Sequence, residues 1–340
     1  MSWKIRRLVN VTLCCVGLVM LFTSSSQIAE GIRDGLMLCA QVVIPSLFPF
    51  MVMSEFASRT GALSFLLRPI TKLLSPLFRL PRQACEGVLF SFFSGYPTGA
   101  CLVSRLLKNG VIDSATAARM MTYCVNAGPA MIVFAVGGCL LGSVKVGWIL
   151  LTCHLAASVI IGVVTARFSA KTKPTPDKPT QTEGLADAFV NSTAASCQQM
   201  LTICGFVTLF SAVMSALPKE AGPLFPLIEV TRGCEWLAKS GFGAPVIAAA
   251  LGFGGLSVIF QVMRMSQGCI SFVRLILSRL CHAALSFAVC AILIHLCPSV
   301  IETASNGVTV LAGYRATMIP CTLAMLLTAS TMLWTAACKN

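Results

Sequence analysis

Residues 84–103 read ACEGVLFSFFSGYPTGACLV, an apolar run broken in its middle by Ser94-Gly95-Tyr96-Pro97-Thr98-Gly99. A run of about 20 such residues suits a helix in hydrocarbon. Pro97, however, has no N–H, and its ring clashes with the preceding turn, so the helix must break or kink near Gly95-Tyr96. Backbone groups freed at membrane depth need partners, and such breaks occur where protein or a polar cavity covers them. The turn that restarts near Pro97 presents free N–H groups, and Thr98 adds a hydroxyl. A helix N-terminus among small residues is a natural seat for a carboxylate or phosphate. The bland alternative is a kink that serves packing alone.

The rest of the chain is of the same kind. Of its 340 residues 56% are hydrophobic and only 11% charged, with a mean hydropathy of +0.84. Soluble domains carry about 25% charged residues, so the solvent of this chain is largely lipid. Further apolar runs lie near 8–26, 36–56, 120–141, 147–167, 194–217, 244–262, 272–297 and 313–337. The pattern predicts an all-α, polytopic protein of the cell membrane. The net charge of +13 is scattered singly between apolar runs. It fits the positive-inside rule and anionic lipid rather than nucleic acid, for which no motif is present. The 17 cysteines form no CxxC pair and no Cys/His metal pattern, and free cysteine packs as a small hydrophobe. His154, His282 and His295 each stand alone in an apolar run, as helix–helix polar contacts do. No Walker A, HExxH, GxSxG or complete GxGxxG string occurs. The expectation is therefore no catalytic residue, no metal, no cofactor and no enzyme.

The chain divides near its midpoint. Residues 1–26 read as a first membrane helix behind Lys4, Arg6 and Arg7, with a cytoplasmic N-terminus. Residues 169–185 form a linker with three prolines and three lysines but little to bury. The flanking halves, 27–168 and 186–340, run in matching order. Each has a long apolar segment, an amphipathic stretch (62–80 and 222–239), a glycine-broken segment and further long helices. Phe93-Ser94-Gly95-Tyr96 and Phe253-Gly254-Gly255-Leu256 occupy comparable places. Duplicated, broken segments point to the binding site of a transporter. If each broken segment enters and leaves on one side, the second half is inverted relative to the first. Most basic residues then fall on the cytoplasmic side, while Lys219, Arg232, Lys239, Arg264, Arg274 and Arg279 fall outside.

Other interruptions join the first. Asn126-Ala127-Gly128-Pro129 breaks the next long run, and Asn126 offers two donors and an acceptor at membrane depth. Pro45 and Pro49 interrupt an earlier helix. In the second half Gly252 to Gly255, with Ser257 and Gln261, form a flexible, polar counterpart, although glycine doublets also serve ordinary helix packing. Four carboxylates stand near apolar surroundings. Glu86 and Glu235 have basic neighbours in Arg82 and Lys239 and read as interfacial pairs. Glu55 and Glu229 are the candidates for proton or cation coupling.

The strings Pro45-Ser46-Leu47-Phe48-Pro49-Phe50, Ser94-Gly95-Tyr96-Pro97-Thr98-Gly99-Ala100 and Asn126-Ala127-Gly128-Pro129 resemble the YlbJ-type sporulation integral membrane proteins. The likeness runs from about Gly31 to Leu296. That family carries a "Gate" or nucleoside-recognition domain related to nucleoside transporters and to the gate region of ferrous-iron transporters. The resemblance implies two inverted Gate-like repeats and a role in spore formation, moving dipicolinic acid across the outer forespore membrane. It also implies a substrate site lined by Gly95, Tyr96, Pro97, Thr98 and Gly99 with Asn126, Gly128 and Pro129. Family members often carry lysine after the GYPxGA string. Here Cys101 stands in that place, and Arg105 follows one helical turn on. The sequence thus predicts a secondary transporter of a small organic anion. The alternatives are a nucleoside-like or cation-coupled permease, and a scaffold assembling with itself or with other sporulation membrane proteins.

Overall fold

The computed structural model describes residues 3–169 and 182–296. Most of the linker (170–181) and the last apolar run (313–337) lie outside the described residues, as do Lys171, Lys173, Lys178 and Arg315. Among the described residues every regular element is helical. Helix α1 (Trp3–Thr23) is followed by α2 (Ser25–Leu38), which passes through a π-helical turn at Cys39–Val43 into α3 (Ile44–Arg59). Residues 25–59 are therefore one continuous helix, where the sequence predicts an interruption at Pro45 and Pro49. At Pro45 the physical reason is the π turn just before it, while Pro49 sits inside α3. A wide turn takes up the missing N–H without ending the helix.

Helix α4 (Ala62–Phe78) is the first amphipathic stretch. Leu67, Thr71 and Phe78 are buried while Phe65, Leu66 and Leu73 are exposed. The opening run 84–103 becomes α5 (Arg82–Ser94) and α6 (Tyr96–Lys108). These fold back along one another. A Cβ added at Gly87 would lie 3.1 Å from both Leu102 and Leu106. Helix α7 (Ser114–Met120) is capped by Asp113, whose carboxylate accepts the Thr116 N–H at 2.6 Å. The run 120–141 is not a long α-helix. Residues 121–128 are unwound and buried, and Ala130–Leu140 is π-helical, before α8 (Val144–Arg167).

The second half opens with α9 (Leu185–Ser215) and a 3-10 turn at Lys219–Leu224. The amphipathic stretch is split at Glu229 into α10 (Phe225–Ile228) and α11 (Val230–Lys239). Helices α12 (Ala244–Phe253) and α13 (Gly255–Ser266) meet at the glycine pair, and α14 (Phe272–Leu296) follows. Helices α6 and α13 lie side by side and run the same way. A Cβ on Gly254 would sit 3.5 Å from the Tyr96 ring at one end. At the other, the Ser104 hydroxyl donates to the Met265 carbonyl at 3.1 Å.

Among the described residues five helical stretches are long and apolar enough to cross a bilayer: Ser25–Arg59, Val144–Arg167, Leu185–Ser215, Ala244–Ser266 and Phe272–Leu296. Phe189, Leu201, Leu277 and Ile292 project from them exposed, as lipid-facing side chains do. The protein is a multi-pass, helical membrane protein in contact with lipid. Among the described residues the apolar interior has two parts. A large core gathers the break-bearing elements with α8, α12 and α14. A smaller one joins Cys39, Val43 and Met51 to Met200, Ile203 and Val207 of α9.

Candidate functional site

The break in the opening segment falls at Gly95, whose φ of 89° and ψ of 174° are closed to residues with a Cβ. The next residue starts α6, and Pro97 falls in its first turn, where a missing N–H costs nothing. Helix starts leave their first N–H groups without intrahelical acceptors, so the Tyr96 and Thr98 amides are free for a ligand by geometry. The Tyr96 hydroxyl donates to the Leu251 carbonyl of α12 at 2.7 Å, and the Thr98 hydroxyl to Gln199 Oε1 of α9 at 3.1 Å. Ser94 is buried, and its hydroxyl has no protein partner.

The second interruption rests on the first. A Cβ on Gly128 would lie 3.0 Å from the Phe93 carbonyl and 3.1 Å from the Gly95 nitrogen. Asn126 is fully buried. Its Nδ2 donates back to the Tyr123 carbonyl at 2.7 Å, while its Oδ1 is unpaired. Pro129 precedes the π-helix as its N-cap. Gly99 presses on the same unwound stretch, because a Cβ there would overlap the Cys124 carbonyl.

Charged and polar groups that the sequence scatters meet behind this stretch. Arg279 falls outside in the sequence-derived topology, yet it is fully buried. Its guanidinium donates to the Val125 carbonyl and, at 3.2 Å, to the Thr122 carbonyl. It also lies 2.8 Å from His282 Nδ1. His154 and His282, each alone in sequence, pack with ring centroids 4.4 Å apart. The spacing of 3.6 per turn gave no sign of this, because α8 and α14 are far apart in the chain. Among the described residues no group of His, Cys, Asp and Glu could hold a metal.

In the second half Gly254 and Gly255 both take positive φ, 84° and 77°. Gly255 packs on the Glu229 break, for its Cβ would lie 3.1 Å from the Ile228 carbonyl. Gln261 Nε2 donates to the Ser257 hydroxyl at 3.2 Å, and both residues are buried. Glu229 is 1% exposed and caps α11, accepting the Arg232 N–H at 2.7 Å.

Between these breaks and the α3 and α9 walls lies a cavity of about 50 Å³, lined by Ser94, Gly95, Tyr96, Gly128, Glu229 and Gln261 among others. Its apolar walls come from Leu47, Phe50, Ile203 and Val207. One water needs roughly 10–15 Å³ of such volume, so there is room for about three to five waters. Glu229 is the sole charged side chain among the described lining residues. The structure thus brings the two broken segments and Gly128 to one cavity, with Thr98, Gly99, Asn126 and Ser257 in the surrounding shell.

Glu55 lies elsewhere. It is 3% exposed and pairs with Arg59 at 2.9 Å and Arg105 at 3.2 Å. Arg59 extends to Glu183 at 2.7 Å. The bond from Asn191 and the Arg59 charge hold the Glu183 carboxyl below its ordinary range. Arg105 is thereby committed to Glu55 instead of the cavity. Glu86 pairs with Arg82 at 3.5 Å and Glu235 with Lys239 at 2.7 Å, the interfacial pairs that the sequence suggests.

No family model matches the chain, and no solved structure matches it. The chain is 25% identical over 281 residues to the sporulation integral membrane protein YlbJ of Bacillus subtilis (strain 168), covering 68% of this chain and 69% of that protein. The match and the helical membrane architecture bear out the resemblance drawn from the proline, SGYPTGA and NAGP strings. This chain is a multi-pass, helical membrane protein that is similar to that sporulation integral membrane protein.

Proposed function

We propose that this protein is a secondary transporter that moves a small organic anion across the membrane without changing it chemically. Dipicolinate during spore formation, at the outer forespore membrane, is the cargo that the family likeness implies. The observation that carries the reading is the convergence at one cavity of the α6 N-terminus, the unpartnered Ser94 hydroxyl and the Glu229 carboxyl. N–H groups at a helix start with an idle hydroxyl beside them suit a carboxylate, and the Tyr96 ring offers an aromatic face. The cavity of about 50 Å³ holds only a few waters, so its walls must part to admit the cargo.

Glu229 adds a condition. Two carboxylates about 5 Å apart repel by about 3 kcal/mol at an effective dielectric of 20. An anion therefore enters with a proton, on the cargo itself or on Glu229, and carried on Glu229 it makes that carboxyl the coupling group. The same lone carboxyl favours a second reading, in which the cargo is a neutral or cationic nucleoside-like solute.

Flux of labelled dipicolinate into proteoliposomes tests the first reading. Saturable uptake above empty vesicles, with Ser94→Ala and Gly95→Leu impaired, is expected. Absence of flux, or uptake indifferent to both substitutions, removes the proposed site. Competition by nucleosides, with and without sodium, separates the second reading. A protein that moves nothing under any of these conditions is a scaffold.

A further inference from the structure

Arg279 is buried among α14, α8 and the unwound stretch, and its partners are two carbonyls and an imidazole nitrogen. A buried guanidinium is costly unless its donors are well placed, so this arrangement needs an account. Arginine can only donate. His282 Nδ1 must therefore accept from it, which places the proton of His282 on Nε2. That nitrogen lies 3.0 Å from the His154 carbonyl and donates to it. His154 Nε2 in turn accepts the Ala127 N–H at 3.0 Å. Ser158 of α8 donates to the Tyr123 carbonyl at 2.6 Å. The relay thus runs from α14 through α8 and ends on the backbone of residues 122–127. One residue further on, Gly128 seats against Gly95 and lines the cavity.

We infer that Arg279, through His282 and His154, is a positioning residue that clamps the unwound stretch 122–128 against the Gly95 turn and so holds the cavity's wall in place. The clamp itself is a property of the fold; its effect on cargo rests on the function proposed above. Without it, the carbonyls of Thr122 and Val125 have no helical partner at membrane depth, and the stretch loosens.

Peptide-resolved hydrogen exchange on the full chain in lipid nanodiscs tests this. Arg279→Met keeps the apolar stem and removes the donors. Exchange across 122–129 is expected to rise about tenfold or more, in line with the loss of charge-assisted hydrogen bonds. Arg274→Met, exposed on the same helix, leaves that exchange unchanged. Should Arg279→Met fail to assemble, two His154 variants decide. His154→Phe keeps a ring but no acceptor and speeds exchange at Ala127, whereas His154→Gln supplies an acceptor and restores protection. Unchanged protection of 122–129 in Arg279→Met, or in His154→Phe where the former does not assemble, overturns the inference. In proteoliposomes the intact clamp predicts a dipicolinate KM about tenfold lower than in His154→Phe, with His154→Gln near the parent. A parent protein that moves no dipicolinate overturns the proposed cargo, and the exchange result still decides the clamp.

Discussion

Gly99→Ala is the substitution whose consequence the geometry fixes most closely. The added methyl would overlap the Cys124 carbonyl and sit 3.1 Å from Ser91 Cβ and 3.2 Å from the Cys124 carbonyl carbon. The obstacle is backbone, and it is flanked by the Thr122 and Val125 carbonyls held by Arg279, so it has little room to yield. Overpacking of this kind costs about 1–3 kcal/mol, against a gain of about 1 kcal/mol from replacing glycine inside a helix. Because a clamped carbonyl is the hardest neighbour to move, the upper part of that range applies, for a net loss of about 2 kcal/mol. At about 2 °C per kcal/mol for a chain of this size, Tm falls by about 4 °C. Gly205→Ala in α9 is the control, since nothing lies within 4 Å of its added methyl; it should hold or raise stability slightly. Thermal unfolding of both variants in one detergent, followed by intrinsic fluorescence, makes the comparison. A Gly99→Ala protein as stable as Gly205→Ala would refute the close crossing of α6 over the unwound stretch. Adding Arg279→Met should also soften the Gly99→Ala penalty, because a released carbonyl can shift, and strict additivity would count against the clamp.

Three further outcomes follow from single groups. Glu229→Gln keeps an oxygen to accept the Arg232 N–H but cannot ionise. Stability should stay within about 1 kcal/mol, while uptake driven by a pH gradient collapses to exchange; accumulation that persists would exclude Glu229 from coupling. Tyr96→Phe strips the Leu251 carbonyl of its donor and should cost about 1–2 kcal/mol, read as a lower Tm, and an unchanged Tm would mean that the bond between the two breaks contributes nothing. The Thr116 N–H holds the Asp113 carboxyl below its ordinary range. Its stabilisation is therefore present above the unfolded pKa of about 3.9 and is lost as pH falls through the lower folded value. Asp113→Ala should cost about 1 kcal/mol at pH 7, with the gap from the parent closing below about pH 4. A gap that does not narrow in acid would reject the cap as its source.

The helical membrane class and the break at Gly95 were legible because they depend on local properties. Apolar run length dictates the solvent, and a proline after glycine dictates a break. The matched breaks and the family likeness pointed to the segments that meet there, but not to the atoms that touch. Tyr96 meets Leu251, Gly128 meets Gly95 and Gly255 meets Ile228 across separations that no periodicity encodes. Arg279 was misread for a related reason. Charge counting assigns an arginine to one side of the membrane, and only the carbonyls of a distant unwound stretch explain its burial. Glu55 and Glu229 looked alike in sequence. Their difference arises because two arginines converge on the first, whereas the second caps a helix at the cavity. Pro45 failed as a breaker because the preceding π turn absorbs it, and that choice belongs to packing instead of propensity.

The division of the interior into two apolar cores bears on how the proposed cycle can run. The cavity lies between them. Phe50, Met51, Ile203 and Val207 line it from α3 and α9, and the breaks line it from the other side. Within each part the contacts are apolar or buried, and they resist shear. Among the described residues three polar bridges run between the parts, Thr98 to Gln199, Arg105 to Glu55 and Arg232 to Asp34, together with ring contacts of Phe50 on Phe134 and Phe210 on Phe260. An exposed pair such as Arg232 with Asp34 is worth about 0–1 kcal/mol, so the apolar contacts across the seam set most of what parting it costs. The clamp from Arg279 lies wholly within the break-bearing part. The α6 N-terminus and Gly128 can therefore keep their mutual geometry while the α3 and α9 wall moves away, which is what a binding site must do if it is to open without dissolving.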